Sequence, residues 1–162
     1  MRLALVAVGR LKRGPERDLA DGYRARADAL ARGLGFSPIQ LHELPESRAR
    51  RAPDRCAEEG AALLAQIPPG AAALVLDEGG QALTSPDLAN RVAAWRDGAR
   101  PQLSVVIGGA DGLDPAVKAR ADLLFAFGAA TLPHGLVRVL VLEQVYRAMT
   151  ILAGHPYHRG AP

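Results

Sequence analysis

Four times along this chain a short, almost wholly apolar run ends in glycine: RLALVAVG, AALVLDEGG, QLSVVIGGADG and DLLFAFG. Runs of this length bounded by glycine read as strands buried on both faces. The intervening segments carry helix-start chemistry. Pro15 opens a helix to about Leu34, and a second runs from about Asp54 to Gln66, stopping at PPG. Ser85 as N-cap, with Pro86 at the first helical position, starts a third, and Asp114 with Pro115 starts a fourth. FSPIQLHEL alternates apolar and polar residues and reads as one more strand, held near an edge by Pro38. After ATLPHG comes a final, long helix. Strands alternating with helices specify the α/β class with a mostly parallel sheet. No repeat or composition shift interrupts the pattern, so residues 1–162 are read as one domain.

Several classes fall away on simple grounds. The longest apolar run, GLVRVLVLEQVYRAMTILAG, is broken by Arg138, Glu143 and Arg147, which argues against a membrane span. MRLALVAVGR is too short for a signal-peptide core with its cleavage site. The single cysteine, Cys56, cannot form an internal disulfide, suits a reducing compartment, and reads as a packing residue on a helix. A cytoplasmic location is expected. The net charge of +3 permits a nucleic-acid partner without demanding one.

Three strand ends carry loops suited to close approach: Leu76 to Gly80, Gly108 to Gly112, and Gly128 to Pro133. In open α/β sheets, ligands bind beyond the carboxyl ends of the strands. GGADG is not G-x-G-x-x-G, and no G-x-x-x-x-G-K-[ST] occurs, so neither a dinucleotide nor a Walker-type phosphate site is indicated. Together the three loops imply a nucleoside-like ligand gripped by backbone amides.

Two arginine features stand out. In PESRARRAPDR, Arg48, Arg50, Arg51 and Arg55 fall in a turn-rich loop, either a solvated connector or a phosphate-contacting patch. On the final helix, Arg138 falls within the apolar stripe of Leu142, Val145, Met149 and Leu152 and needs a partner there. It is either a salt-bridged structural arginine or, one turn from His134, a residue shaping a site. That helix is apolar around most of its circumference, which suggests a second packed side and hence a dimer.

The chain ends in AGHPYHRGAP, which concentrates His155, Tyr157, His158 and Arg159. The H-x-x-H spacing is a poor metal site, since Pro156 interrupts any helix and no nearby Cys or Asp adds a ligand. A frayed tail and an active-site segment both remain open on composition.

LVAVGR, VVIGGADG, TLPHGLVRVLVLEQVYRA and GHPYHRG together resemble the bacterial ribosomal large subunit pseudouridine N3-methyltransferase family, small enzymes of the knotted SPOUT class. The resemblance runs through the whole chain in order and spacing. It implies an α/β fold whose C-terminal segment forms a trefoil knot, and an obligate homodimer binding S-adenosyl-L-methionine but no metal. The substrate it implies is a pseudouridine of 23S rRNA in the assembled ribosome. The matching cofactor positions are Leu76, Gly108, Phe127, Gly128, Ala129, Ala130, Thr131 and Leu132. His155, Tyr157, His158 and Arg159 then complete the partner subunit's site, and His134 and Arg138 shape its wall; on the phosphate-contacting reading of the basic loop, Arg48, Arg50 and Arg51 contact RNA. Ala110, Asp111 and Gly135 depart from the family pattern. Gly154 stands where the family has Asn and is expected to loosen the tail's anchor. The competing readings are a transfer-RNA methyltransferase of the same fold class and a nucleotide-binding regulator without catalysis.

Overall fold

The computed structural model describes residues 1–157. The strands are β1 (Arg2–Val8), β2 (Ile39–Leu44), β3 (Ala72–Gln81), β4 (Gln102–Ile107) and β5 (Leu123–Phe125). The helices are α1 (Pro15–Ala31), α2 (Ala52–Ala65), α3 (Ser85–Asp97), α4 (Pro115–Arg120) and α5 (His134–Leu152), with a 3₁₀ turn at Arg32–Leu34. The sheet order is β2-β1-β4-β3-β5, with all neighbours parallel. Leu5 sits opposite Leu41 on one side and Val105 on the other, so the apolar runs of β1 and β4 lie at the centre. β2 is an edge strand that begins just past Pro38, whose missing N–H keeps it out of the ladder.

Each face of the sheet has its own core. Leu3, Leu5, Leu74, Leu103 and Val105 pack with Ala27 of α1, Trp95 of α3 and Leu142 and Met149 of α5. Val6, Val8, Val75 and Val106 pack on the other face with Leu63 of α2 and Val117 of α4. α5 lies against both α1 and α3. Much of the apolar girth that suggested a second subunit is thus covered within the protomer. Leu140 and Ile151 remain half-buried, and Leu136 is exposed.

Three boundaries differ from expectation. Thr84, not Ser85, is the N-cap of α3: its Oγ1 accepts the Asp87 N–H at 3.2 Å. Ser85 is the first helical residue and donates its hydroxyl to Gln144 Oε1 of α5 at 2.9 Å. α2 starts at Ala52, two residues early, because Pro53 already supplies the φ of a first helical turn. β3 does not stop at Asp77. After a register break it rejoins β5 at Gln81, opposite Phe125, and the Ala126 N–H donates to the Gln81 carbonyl at 3.0 Å.

Candidate functional site

At the carboxyl edge of β3, β4 and β5 the three loops meet around one cleft of about 720 Å³. Its lining includes Leu76, Ile107, Phe125, Phe127 and Leu132, with Gly108, Gly128, Ala130 and Thr131. Ala129 lies between two lining residues without lining the cleft itself. The size, and a lining divided about evenly between polar and apolar surface, suit a nucleoside-sized ligand. Phe125 and Phe127 stack edge to face, with centroids 5.1 Å apart, and stiffen one wall.

The glycines do not all serve the ligand. A Cβ on Gly108 would strike Leu113, one on Gly109 would strike the Glu59 carboxylate, and one on Gly80 would strike the Leu124–Phe125 backbone. These three are small so that protein can pack against protein. Gly128 differs: its φ is +134° and a Cβ would meet open space.

Charged pairs that the sequence did not reveal fix the rim. Lys118 Nζ lies 2.6 Å from Asp77 Oδ2 across the cleft mouth. Arg55 grips Asp111 through two hydrogen bonds of 2.6 and 2.9 Å, tying α2 to the loop after β4. The hydrogen bond from Arg55 holds the Asp111 carboxyl below its usual range. The Cys56 thiol donates to the Asp111 carbonyl at 3.2 Å. Their only sequence signal was an arginine left in a loop and an aspartate in a glycine turn. Beside them Arg48, Arg50 and Arg51 are exposed, with no ion pair among the described residues.

His134 opens α5 and lines the cleft, whereas Arg138 lies behind that wall. Arg138 is 2% exposed. Its Nη1 donates to Glu43 Oε1 at 2.6 Å, and its Nη2 donates to the carbonyls of Val8, at 2.8 Å, and Gly9. Burial pulls this guanidinium down from its ordinary value, and Glu43 works against that. Of the two readings left open for Arg138, the structure shows the salt-bridged one, with the guanidinium tying α5 to β2 and to the end of β1.

The tail lies elsewhere. The cleft sits at the first turn of α5, whereas the tail leaves its last turn and folds back only as far as Glu143, nine residues, or roughly 14 Å of helix, from His134. His155 and Tyr157 follow that last turn. Tyr157 packs on Tyr146, with centroids 4.7 Å apart, and donates its hydroxyl to Glu143 Oε1 at 3.2 Å. Burial, then the neighbouring Glu143, push its phenol up to about 12. His158 and Arg159 lie outside the described residues.

Gly154 corrects an expectation. It adopts φ +65° just past α5, and the His155 N–H returns to the Thr150 carbonyl at 2.9 Å. This closes a Schellman cap, whose left-handed position takes Gly or Asn. The substitution keeps the anchor rather than loosening it.

Among the described residues there is no group of three or more His, Cys, Asp or Glu able to hold a metal, and no helix long and apolar enough to cross a membrane. A family model described as predicted SPOUT methyltransferase matches residues 1–158. A protein of Methylobacterium sp. (strain 4-46) named ribosomal RNA large subunit methyltransferase H is 81% identical over 100% of both chains. Its namesake in Methylobacterium nodulans is 78% identical over 100% of both, and that of Rhodopseudomonas palustris 58% over 98% of this chain and 99% of that one. A solved structure, the SpoU methyltransferase AviRb of Streptomyces viridochromogenes with AdoMet, shares 17% identity over 89% of this chain and 56% of that chain, with a TM-score of 0.40.

Proposed function

The chain belongs to the SPOUT methyltransferase family, and from that we propose that it methylates N3 of a pseudouridine in 23S rRNA on the assembled ribosome, using S-adenosyl-L-methionine. The observation that carries this is end-to-end identity of 81% and 78% with proteins named ribosomal RNA large subunit methyltransferase H. The cleft supports the cofactor. It has apolar walls for an adenine ring, the loop residues Gly108, Gly128, Ala130, Thr131 and Leu132 in its lining, and an open approach over Gly128. When bound, the cofactor supplies a methyl group on a sulfonium, which needs little besides alignment with an acceptor nitrogen.

The chain's own part is to bind, orient and dry that reaction. Leu76, Ile107, Phe127 and Leu132 exclude water from one side. The exposed Arg48, Arg50 and Arg51, on the loop joined by Arg55 to the cleft rim, are placed to hold rRNA phosphates. His155, Tyr157, His158 and Arg159 act in trans. With Tyr157 held at Glu143, roughly 14 Å of helix from His134, the tail serves the cleft of a second copy, which makes the active unit a homodimer. The trefoil knot, a single domain over residues 1–162 and a cytoplasmic site of action belong to the same reading.

The test is methyl transfer from labelled cofactor to ribosomes lacking the modification, with nucleoside mapping by mass spectrometry. The expected product is N3-methylpseudouridine in large-subunit rRNA, with isolated rRNA a much poorer substrate. Label in transfer RNA instead, or cofactor binding without transfer, contradicts the proposal.

A further inference from the structure

His134 lines the cleft with one ring nitrogen already committed. Its Nε2 lies 3.0 Å from the Val8 carbonyl oxygen, and a carbonyl only accepts. Nε2 therefore carries the hydrogen, which leaves Nδ1 as the bare lone pair of a neutral imidazole. Arg138 Nη2 approaches Nε2 at 3.3 Å, but both are donors in this tautomer. The arginine thus acts on the ring through its charge, while its own hydrogens go to Val8 and Gly9.

Charged and polar groups face this ring from four elements. Burial, then the Arg138 guanidinium on α5, pull His134 below the ordinary imidazole value. The Val8 carbonyl at the end of β1, Glu46 in the loop after β2 and Glu59 on α2 push it back up. The balance keeps the ring neutral at physiological pH, while a carbonyl and two carboxylates stand ready to stabilise a cation. A base oriented by a third group is the usual arrangement for proton abstraction.

We propose that His134 is the proton acceptor of methyl transfer: Nδ1 takes the proton from the acceptor nitrogen as that nitrogen attacks the methyl group. This rests on the function proposed above. The N3–H bond breaks and its proton passes to Nδ1. The electron pair left on N3 forms the N–CH₃ bond, and the methyl–sulfur pair stays on sulfur as a neutral thioether. The positive charge moves from sulfonium to imidazolium, which then loses its proton to water. Of the two described tail groups, Tyr157 keeps its proton, held by Glu143 with a phenol at about 12. His155 accepts the Tyr157 N–H through Nδ1 at 3.2 Å. Recognition of the base is then left to the tail, and proton removal to the wall.

His134→Gln separates this role from wall-building, because the amide can still donate to the Val8 carbonyl but cannot take a proton. Its single-turnover rate on ribosomes should fall by about 100-fold or more, with calorimetric cofactor affinity unchanged and the acid limb of the pH–rate profile abolished. Independently, ¹⁵N shifts of His134 in the wild-type protein should report hydrogen on Nε2 and a bare Nδ1. A wild-type rate in His134→Gln, a surviving acid limb, or hydrogen on Nδ1 overturns the proposal. Should the variant not fold, the wild-type tautomer and titration decide alone. If the wild-type protein methylates a different nucleotide, the substrate reading fails, and the His134→Gln comparison still decides the base.

Discussion

Glu43 Oε1 lies 2.6 Å from Arg138 Nη1, which joins the edge strand β2 to the final helix through a guanidinium that is almost fully buried. The same oxygen accepts the Leu11 N–H at 2.9 Å and lies 3.3 Å from Arg17 Nη1. One carboxylate thus fixes the loop after β1, the start of α1 and the helix that carries His134.

Glu43→Ala leaves Arg138 buried without its counter-charge. Removing one member of a buried pair costs about 3–5 kcal/mol. Urea unfolding of wild type and variant at one protein concentration should show a loss in that range. A loss below about 1 kcal/mol would mean the pair behaves as an exposed one.

The same residue sets an acid dependence. Burial alone would raise Glu43, but the Leu11 N–H, Arg138 and Arg17 together bring it below its unfolded value of 4.5. The stabilisation it contributes is therefore present above pH 4.5 and is lost as pH falls through the lower folded value. The stability gap between wild type and Glu43→Gln should be flat above that pH and close below it. A gap unchanged to pH 2 would contradict the assignment.

Tyr157 sets the opposite dependence at high pH. Its phenol is raised from 10.0 to about 12, so folding favours the protonated form. That stabilisation is present below pH 10 and is lost as pH rises towards 12. Absorbance titration should show one tyrosine ionising near the upper value, and Tyr157→Phe should remove that step.

Gly154 occupies a left-handed position with open space around its missing side chain. Strain there comes from backbone conformation alone. Gly154→Asn should be close to neutral, whereas Gly154→Val should cost about 1–2 kcal/mol in thermal unfolding. Equal losses for the two would deny the cap its role.

The parallel sheet, its helices and the convergence of three loops were legible in the chain because strand runs and helix caps are local signals. Pro38 placed β2 at an edge, and the capping chemistry of Asp114 placed α4. Other features were set by tertiary contacts. Nothing near Gly109 in sequence announces Glu59, fifty residues earlier, as the reason for its missing side chain. Ser85 has the chemistry of a cap, yet its hydroxyl is spent on Gln144, a contact only the folded chain creates. Arg138 was recognisable as misplaced, but Glu43 lies 95 residues away and could not be matched to it. The distance between the tail and the cleft needed the length of α5 as one unbroken helix.

The central claim is that one protomer's tail serves the other's cleft, and complementation tests it directly. One protomer is truncated after Gly154, and a second, full-length protomer carries Ala130→Trp to fill the cleft. Each is inactive as a homodimer. After unfolding, mixing in equal amounts and refolding, half the dimers are mixed and each holds one intact composite site. Ribosome methylation should return to about a quarter of the wild-type level, the share expected for random assembly of a two-fold dimer. No recovery from mixed dimers that demonstrably form would show that each tail serves its own cleft, and would contradict the account.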